Sequence, residues 1–185
     1  MLPELQAHLD AIDRVKADAR TLVAGLGDEQ LHRRPAPERW SIIECLAHLN
    51  TTIRATLPAF DRSIADARAR GLTAPGGGAF RYGWFANWMI RSMEPPPKRR
   101  MRTFPIFMPA ANPPSAATLA DFFVVRDELA ARLRQADGLD LKRARVVSPV
   151  SRFFRMPLGG YFAFVIAHER RHIWQAQRVR ETLVA

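Results

Sequence analysis

Cysteine is nearly missing from this chain: Cys45 is the only one in 185 residues. An internal disulfide framework is therefore excluded, and a reducing compartment is expected. No apolar run approaches the length of a transmembrane span. The opening MLPELQAHLD is amphipathic and lacks the basic segment and apolar stretch of a secretion signal. These absences give the expectation of a soluble, cytoplasmic protein. No alternating strand pattern and no internal repeat stands out, which removes all-β and solenoid architectures. Zinc-finger, helix-turn-helix and RNP signatures are absent too. The net charge of +10 is spread over separate arginine pairs and the cluster Lys98 to Arg102, so no nucleic-acid partner is expected.

Hydrophobic residues make up 48% of the chain. With this length, that is enough for one domain with a sizeable core, taken here as residues 1–185. Four segments carry a helical period. Leu5, Leu9, Ile12, Val15, Ala19, Leu22 and Leu26 form the first stripe, closed by Gly25 and Gly27. The second helix opens at Ser41, with Glu44 placed to complete a capping box. Its stripe is Ile42, Leu46, Leu49, Ile53, Leu57, Phe60 and Ile64, with Pro58 inside. The third spans about Thr118 to Ala136, with Leu119, Phe122, Leu129 and Leu133 inward. The fourth spans about Gly160 to Leu183. Between the second and third lie residues 71–117, punctuated by Gly76 to Gly78 and Pro95 to Pro97, with a short helix expected over Gly83–Met93. Four helices and one long connection predict an all-α four-helix bundle with a crossover.

The densest chemistry is HERRH, His168 to His172. Helical spacing puts both imidazoles on one face, about one turn apart, where two nitrogens can meet one divalent metal. On a helical wheel, Tyr161, Val165, His168, His172, Ala176, Val179 and Leu183 share a face, with Gln175 beside them. Two buried imidazoles need partners. Glu169 is a candidate general base, against the plainer reading of an exposed helix glutamate. The pattern also matches H-E-x-x-H of zinc peptidases. Gln175 and Arg178, however, stand where an extended peptidase motif has glycine and histidine, so a third ligand would come from upstream. His8, His32 and His48 are all available. His48 lies off its helix's main stripe, in a column of small residues with Ser41, Cys45, Thr52, Ala55 and Ala59. Such a column admits a close neighbour, leaves a cavity or forms an exposed flank. Cys45 shares that side and is either near a metal or a small buried hydrophobe. Trp84, Trp88 and Tyr82 would line a pocket mouth or pack in the core.

The segment from Asp28 to Asn50, with Trp40-Ser41 opening a helix and His48-Leu49 within it, resembles the front half of the DinB-like metal-binding family. The segment from Leu158 to Val179, with H-x-x-x-H-x-x-Q at His168, His172 and Gln175, resembles that family's closing helix. The EPPP-containing crossover, Glu94 to Pro97, is also similar. The resemblance implies an up-down-down-up four-helix bundle, often a homodimer. It further implies a divalent metal, commonly nickel or zinc, on His48, His168 and His172. Gln175 would hydrogen-bond a ligand imidazole or bound water. Some similar proteins are thiol transferases or isomerases using a low-molecular-weight thiol, and others have no assigned reaction. The expected function is a metal-dependent enzyme acting on a small-molecule substrate, of thiol-transferase or hydrolase type. The alternative is a non-catalytic metal-binding stress-response module, and a peptidase ranks third. A dimer is also expected from the fourth helix, where Phe162, Ile166, Ile173 and Trp174 offer a second apolar side.

Overall fold

The computed structural model describes residues 1–74, 80–97 and 102–184. Gly76 to Gly78 and most of the basic cluster, Lys98 to Met101, lie outside the described residues. The helices are α1 (Pro3–Val23), α2 (Asp28–His32), α3 (Ile42–Ala69), α4 (Trp84–Met93), α5 (Ser115–Gln135) and α6 (Leu158–Val184). Two three-residue strands, β1 (Arg145–Val147) and β2 (Arg155–Pro157), pair antiparallel before α6. Strands this short leave no alternation to read from sequence.

Four helices make the bundle, and their registers give its topology. Cross-links between α3 and α5 rise together along both chains: Asn50 to Thr118, Arg54 to Asp121, Asp61 to Arg132 and Arg68 to Gln135. Those two helices are therefore parallel. Lys16 meets Asp127 and Leu2 meets Asp137, so α1 runs against α5. Phe60 stacks on Phe162 while His48 meets His168, so α3 runs against α6. The order is up-down-down-up, which requires the long connection between α3 and α5.

Local signals explain the ends. The Ser41 hydroxyl accepts from the Glu44 amide, and the Glu44 carboxylate accepts from the Ser41 amide at 2.9 Å, a complete capping box. Arg34 also binds Glu44. α1 stops at Val23, with Gly25 at φ +74° just beyond, a left-handed geometry that favours glycine. Arg180 donates to the carbonyls of Thr21, Leu22 and Ala24. It thereby satisfies the free carbonyl end of α1 with a cation.

The apolar core falls into two clusters. On α3 the break lies between Leu49 and Ile53, and on α6 between Ile166 and Ile173. Into that break fold Asn50, Thr52, Arg126, Glu169 and the three bundle histidines. The sites anticipated as a dimer surface are interior: Phe162 is 0% exposed, and Ile166 and Ile173 are 2% exposed. They are buried within the bundle's two apolar clusters, and half-buried Trp174 lines a cavity, so these side chains present no second apolar surface to solvent. The exposed aromatics are elsewhere, with Trp84 and Trp88 on α4 open to solvent.

Candidate metal centre

α3 delivers His48 and α6 delivers His168 and His172 from the opposite side. One nitrogen from each lies within 4.8 Å of the others. The Nε2 atoms of His48 and His168 are 3.3 Å apart. Two imidazole nitrogens on one ion at about 2.0–2.1 Å stand roughly 3.0–3.4 Å apart, so this spacing fits a shared divalent ion. The 3₁₀ turn Pro105–Phe107 explains the orientation of His48: its Nδ1 lies 2.7 Å from the Phe107 carbonyl. A proton on that nitrogen leaves Nε2 as the free lone pair. The His168 and His172 Nδ1 atoms are buried and have no hydrogen-bond partner among the described residues. Trp40, the residue before the capping box, packs against both His48 and His172 rings.

All three imidazoles are held neutral. Burial lowers His48. Burial, then the neighbouring His172 and His48, lower His168 well below its usual range. Burial, His48 and Arg171 take His172 down to about 3, against a hydrogen bond to Gln175 that raises it. Neutral imidazole is the ligating form. Three borderline nitrogen donors with no carboxylate among them suit zinc or nickel better than calcium or magnesium.

The histidines form the floor of a cavity of about 930 Å³. Thr52 and Thr56 line one wall; of the small-residue column of α3, only Thr52 borders the cavity beside His48. The crossover supplies Met89, Met93, Phe104 and Phe107, and Trp174 and Gln175 complete the α6 side. Trp84 and Trp88 do not line it, and Tyr82 instead binds His8 through its hydroxyl at 3.2 Å. The other histidines are placed apart. His8 belongs to that Tyr82 contact, and His32 lies in α2, where its Nε2 meets the Ser115 hydroxyl. Cys45 is fully buried in the apolar cluster, its thiol pushed up by burial.

Glu169 is not the exposed glutamate expected. It is 1% exposed, and its Oε2 accepts from Arg126 Nε at 2.8 Å and lies 2.6 Å from Nη2. Arg126 is itself fully buried. Its Nη1 donates to Asn50 Oδ1 at 2.7 Å and to the Phe122 carbonyl at 3.0 Å, and its guanidinium lies 3.3 Å from the Phe122 ring centroid. Sequence reasoning missed Arg126, although its signal was present. The α5 stripe Leu119, Phe122, Leu129, Leu133 steps by three and four only if Arg126 occupies its middle. A charge in an apolar stripe announces a buried partner.

A family model described as the DinB superfamily matches residues 11–176. Among solved structures, one similar protein is YfiT from Bacillus subtilis, described as a probable metal-dependent hydrolase with an unusual four-helix bundle topology. The identity is 16%, the TM-score is 0.61, and the match covers 97% of this chain and 87% of that one. At that identity the likeness concerns the fold. No curated protein matches the chain.

Proposed function

The chain belongs to the DinB superfamily, and from that premise we propose that it is a divalent-metal enzyme acting on a small molecule. His48, His168 and His172 would hold the ion. The observation that carries the proposal is that three neutral imidazoles converge on the floor of a cavity large enough for a small-molecule substrate. When bound, such an ion lowers the pKa of water or a thiol, which suits hydrolysis and thiol-dependent transfer alike. The residues of the chain divide the remaining work. The Phe107 carbonyl and Gln175 orient imidazoles, and the methionine and aromatic wall excludes water. The peptidase reading lacks its base, because the Glu169 carboxylate is engaged by Arg126 inside the bundle.

The discriminating experiment is a titration of cobalt-substituted protein with low-molecular-weight thiols, followed by absorbance, with turnover of thiol-acceptor and ester substrates measured in parallel. A thiolate-to-metal band with turnover supports the thiol-dependent enzyme, and ester turnover without the band supports the hydrolase. Stoichiometric metal with neither activity supports the metal-binding module. Failure of purified or reconstituted protein to retain any metal ends the metalloprotein reading.

A further inference from the structure

α4 gives Met89 and Met93 to the cavity and leaves Trp84 and Trp88 outside it. Trp84 is 83% exposed and Trp88 61%, one turn apart on the helix. The exposed Phe85 ring joins them, its centroid 5.9 Å from that of Trp84 and 6.0 Å from that of Trp88. The patch continues onto the turn between β1 and β2. There the Phe85 ring lies 6.2 Å from Phe154, and the adjacent Phe153 is 81% exposed. Side chains this large are seldom left so open to water. Four exposed arginines flank the rings in the chain: Arg81, Arg91, Arg152 and Arg155. Arg91 falls one turn beyond Trp88 on the same helical row. Arg152 lies over the Phe153 ring, 4.8 Å from its centroid. Residues 80–93 and 141–157 contain no aspartate or glutamate, and Glu94, which follows the first of these segments, is held by Arg170. The patch is therefore apolar and cationic together. That pairing complements the boundary of an anionic bilayer, where indole rings sit at headgroup level and guanidinium groups meet lipid phosphates. No helix of the described residues is long and apolar enough to cross a membrane, so such contact is peripheral. We propose that this face docks on the surface of an anionic lipid membrane. A second copy set symmetrically against the same face would bring like charges together. A single-stranded nucleic acid needs open ring faces along a basic groove, whereas Phe85 and Trp88 stack on each other and Arg152 covers a face of Phe153.

The test is co-sedimentation of the full chain with vesicles of phosphatidylcholine alone and of phosphatidylcholine mixed with phosphatidylglycerol. Binding to the anionic vesicles should be about tenfold tighter or more, and should weaken as sodium chloride is raised. Trp84→Ser/Trp88→Ser should weaken it by about tenfold, through lost burial of the rings at the headgroup boundary. Arg81→Gln/Arg91→Gln/Arg152→Gln/Arg155→Gln should erase the preference for the anionic lipid. All six positions are exposed, so circular dichroism of both variants should match the wild type. No binding to anionic vesicles, or equal binding to both kinds, would overturn the proposal. Binding that survives loss of the two tryptophans would rest on net positive charge alone and overturn it too. A dimer in light scattering that the tryptophan variant dissociates would assign the face to a second copy. Tight binding of a single-stranded RNA probe that the same variant loses would assign it to nucleic acid, and either result overturns docking on lipid. If the tryptophan variant fails to fold, the wild type still decides. Bromine-labelled phosphatidylcholine in the anionic vesicles should quench its tryptophan emission, and bound protein without quenching sinks the idea.

Discussion

His168 and Glu169 are neighbours in the chain and end in opposite kinds of polar interior. His168 turns to the cavity, where its Nδ1 has no hydrogen-bond partner among the described residues and its Nε2 faces His48. Glu169 turns into the packed bundle, where its Oε2 is held by Arg126 and the network runs on through Asn50 to the Thr118 carbonyl, while its Oε1 has no hydrogen-bond partner among the described residues. A helix rotates its residues by 100°, so five consecutive residues address different surroundings. Here Arg170 binds Glu94 of the crossover, Arg171 joins the cavity, and His172 rejoins His168. Neutral nitrogens that converge beside a cavity mark the functional layer. An ion pair held inside the packed bundle, away from that cavity, marks a structural one.

The largest effect should come from breaking the buried network on one side. Arg126→Met leaves the Glu169 carboxylate buried without its cation, which should cost about 3–5 kcal/mol in urea or thermal unfolding. The double variant Arg126→Met/Glu169→Leu should recover most of that loss, since an apolar pair removes both desolvation penalties. A double variant as unstable as the single one would mean that the network also fixes the packing of α5 on α6.

The histidine layer should respond in the opposite sense. His48→Ala, His168→Ala and His172→Ala should each weaken metal retention by about a hundredfold or more, because each removes a direct donor. Stability of the metal-free protein should change less for His168→Ala and His172→Ala than for His48→Ala, which also loses the bond between Nδ1 and the Phe107 carbonyl. His8→Ala and His32→Ala should retain full occupancy by mass spectrometry. Full occupancy in His48→Ala with loss in either of those two would relocate the site.

A third effect is the pH dependence of the metal-free protein. His172 sits near 3 when folded, and His48 and His168 are also lowered from their ordinary 6.5. Between 6.5 and the folded values the unfolded chain binds more protons, so stability is full above about 6.5 and is lost as pH falls. The slope approaches 1.4 kcal/mol per pH unit for each such histidine. His8, lowered to about 4 by burial and Arg170, adds to it. Melts between pH 7 and 5 stay above the ordinary carboxylate range and read this term. A flat profile there would mean that these imidazoles are hydrated in solution.

The two layers also differed in how plainly the sequence announced them. The bundle helices follow from period and capping, and the H-x-x-x-H pair needs only helical geometry. His48 came from family likeness, because its column of small residues fitted a cavity, a close neighbour or an open flank equally well. The Arg126–Glu169 pair joins residues 43 positions apart on helices whose relative rotation no local signal states. The Phe107 carbonyl that holds His48 sits 59 positions away in the irregular crossover, where turn chemistry gives no register. Phe162, Ile166 and Ile173 were misread for a related reason. A helix in a bundle meets two neighbours, so a second apolar side is as natural inside as at an interface.

The smallest effect sharpens the contrast between layers by moving an ion pair to the surface. Arg70 Nη1, at the C-cap of α3, and Asp66 Oδ2, one turn earlier, are 3.0 Å apart, and both side chains are 56% exposed. The distance rivals the contacts of Arg126 with Glu169, yet water screens both charges and each side chain loses rotamer freedom in pairing. Arg70→Gln should therefore change stability by about 0.3–0.5 kcal/mol at low salt and by less as ionic strength rises. The exposed amide has solvent to bind, so no unpaired charge is stranded in a dry interior. Equal losses from Arg70→Gln and Arg126→Met would show that proximity of opposite charges, and not burial, sets the cost of breaking a pair in this bundle.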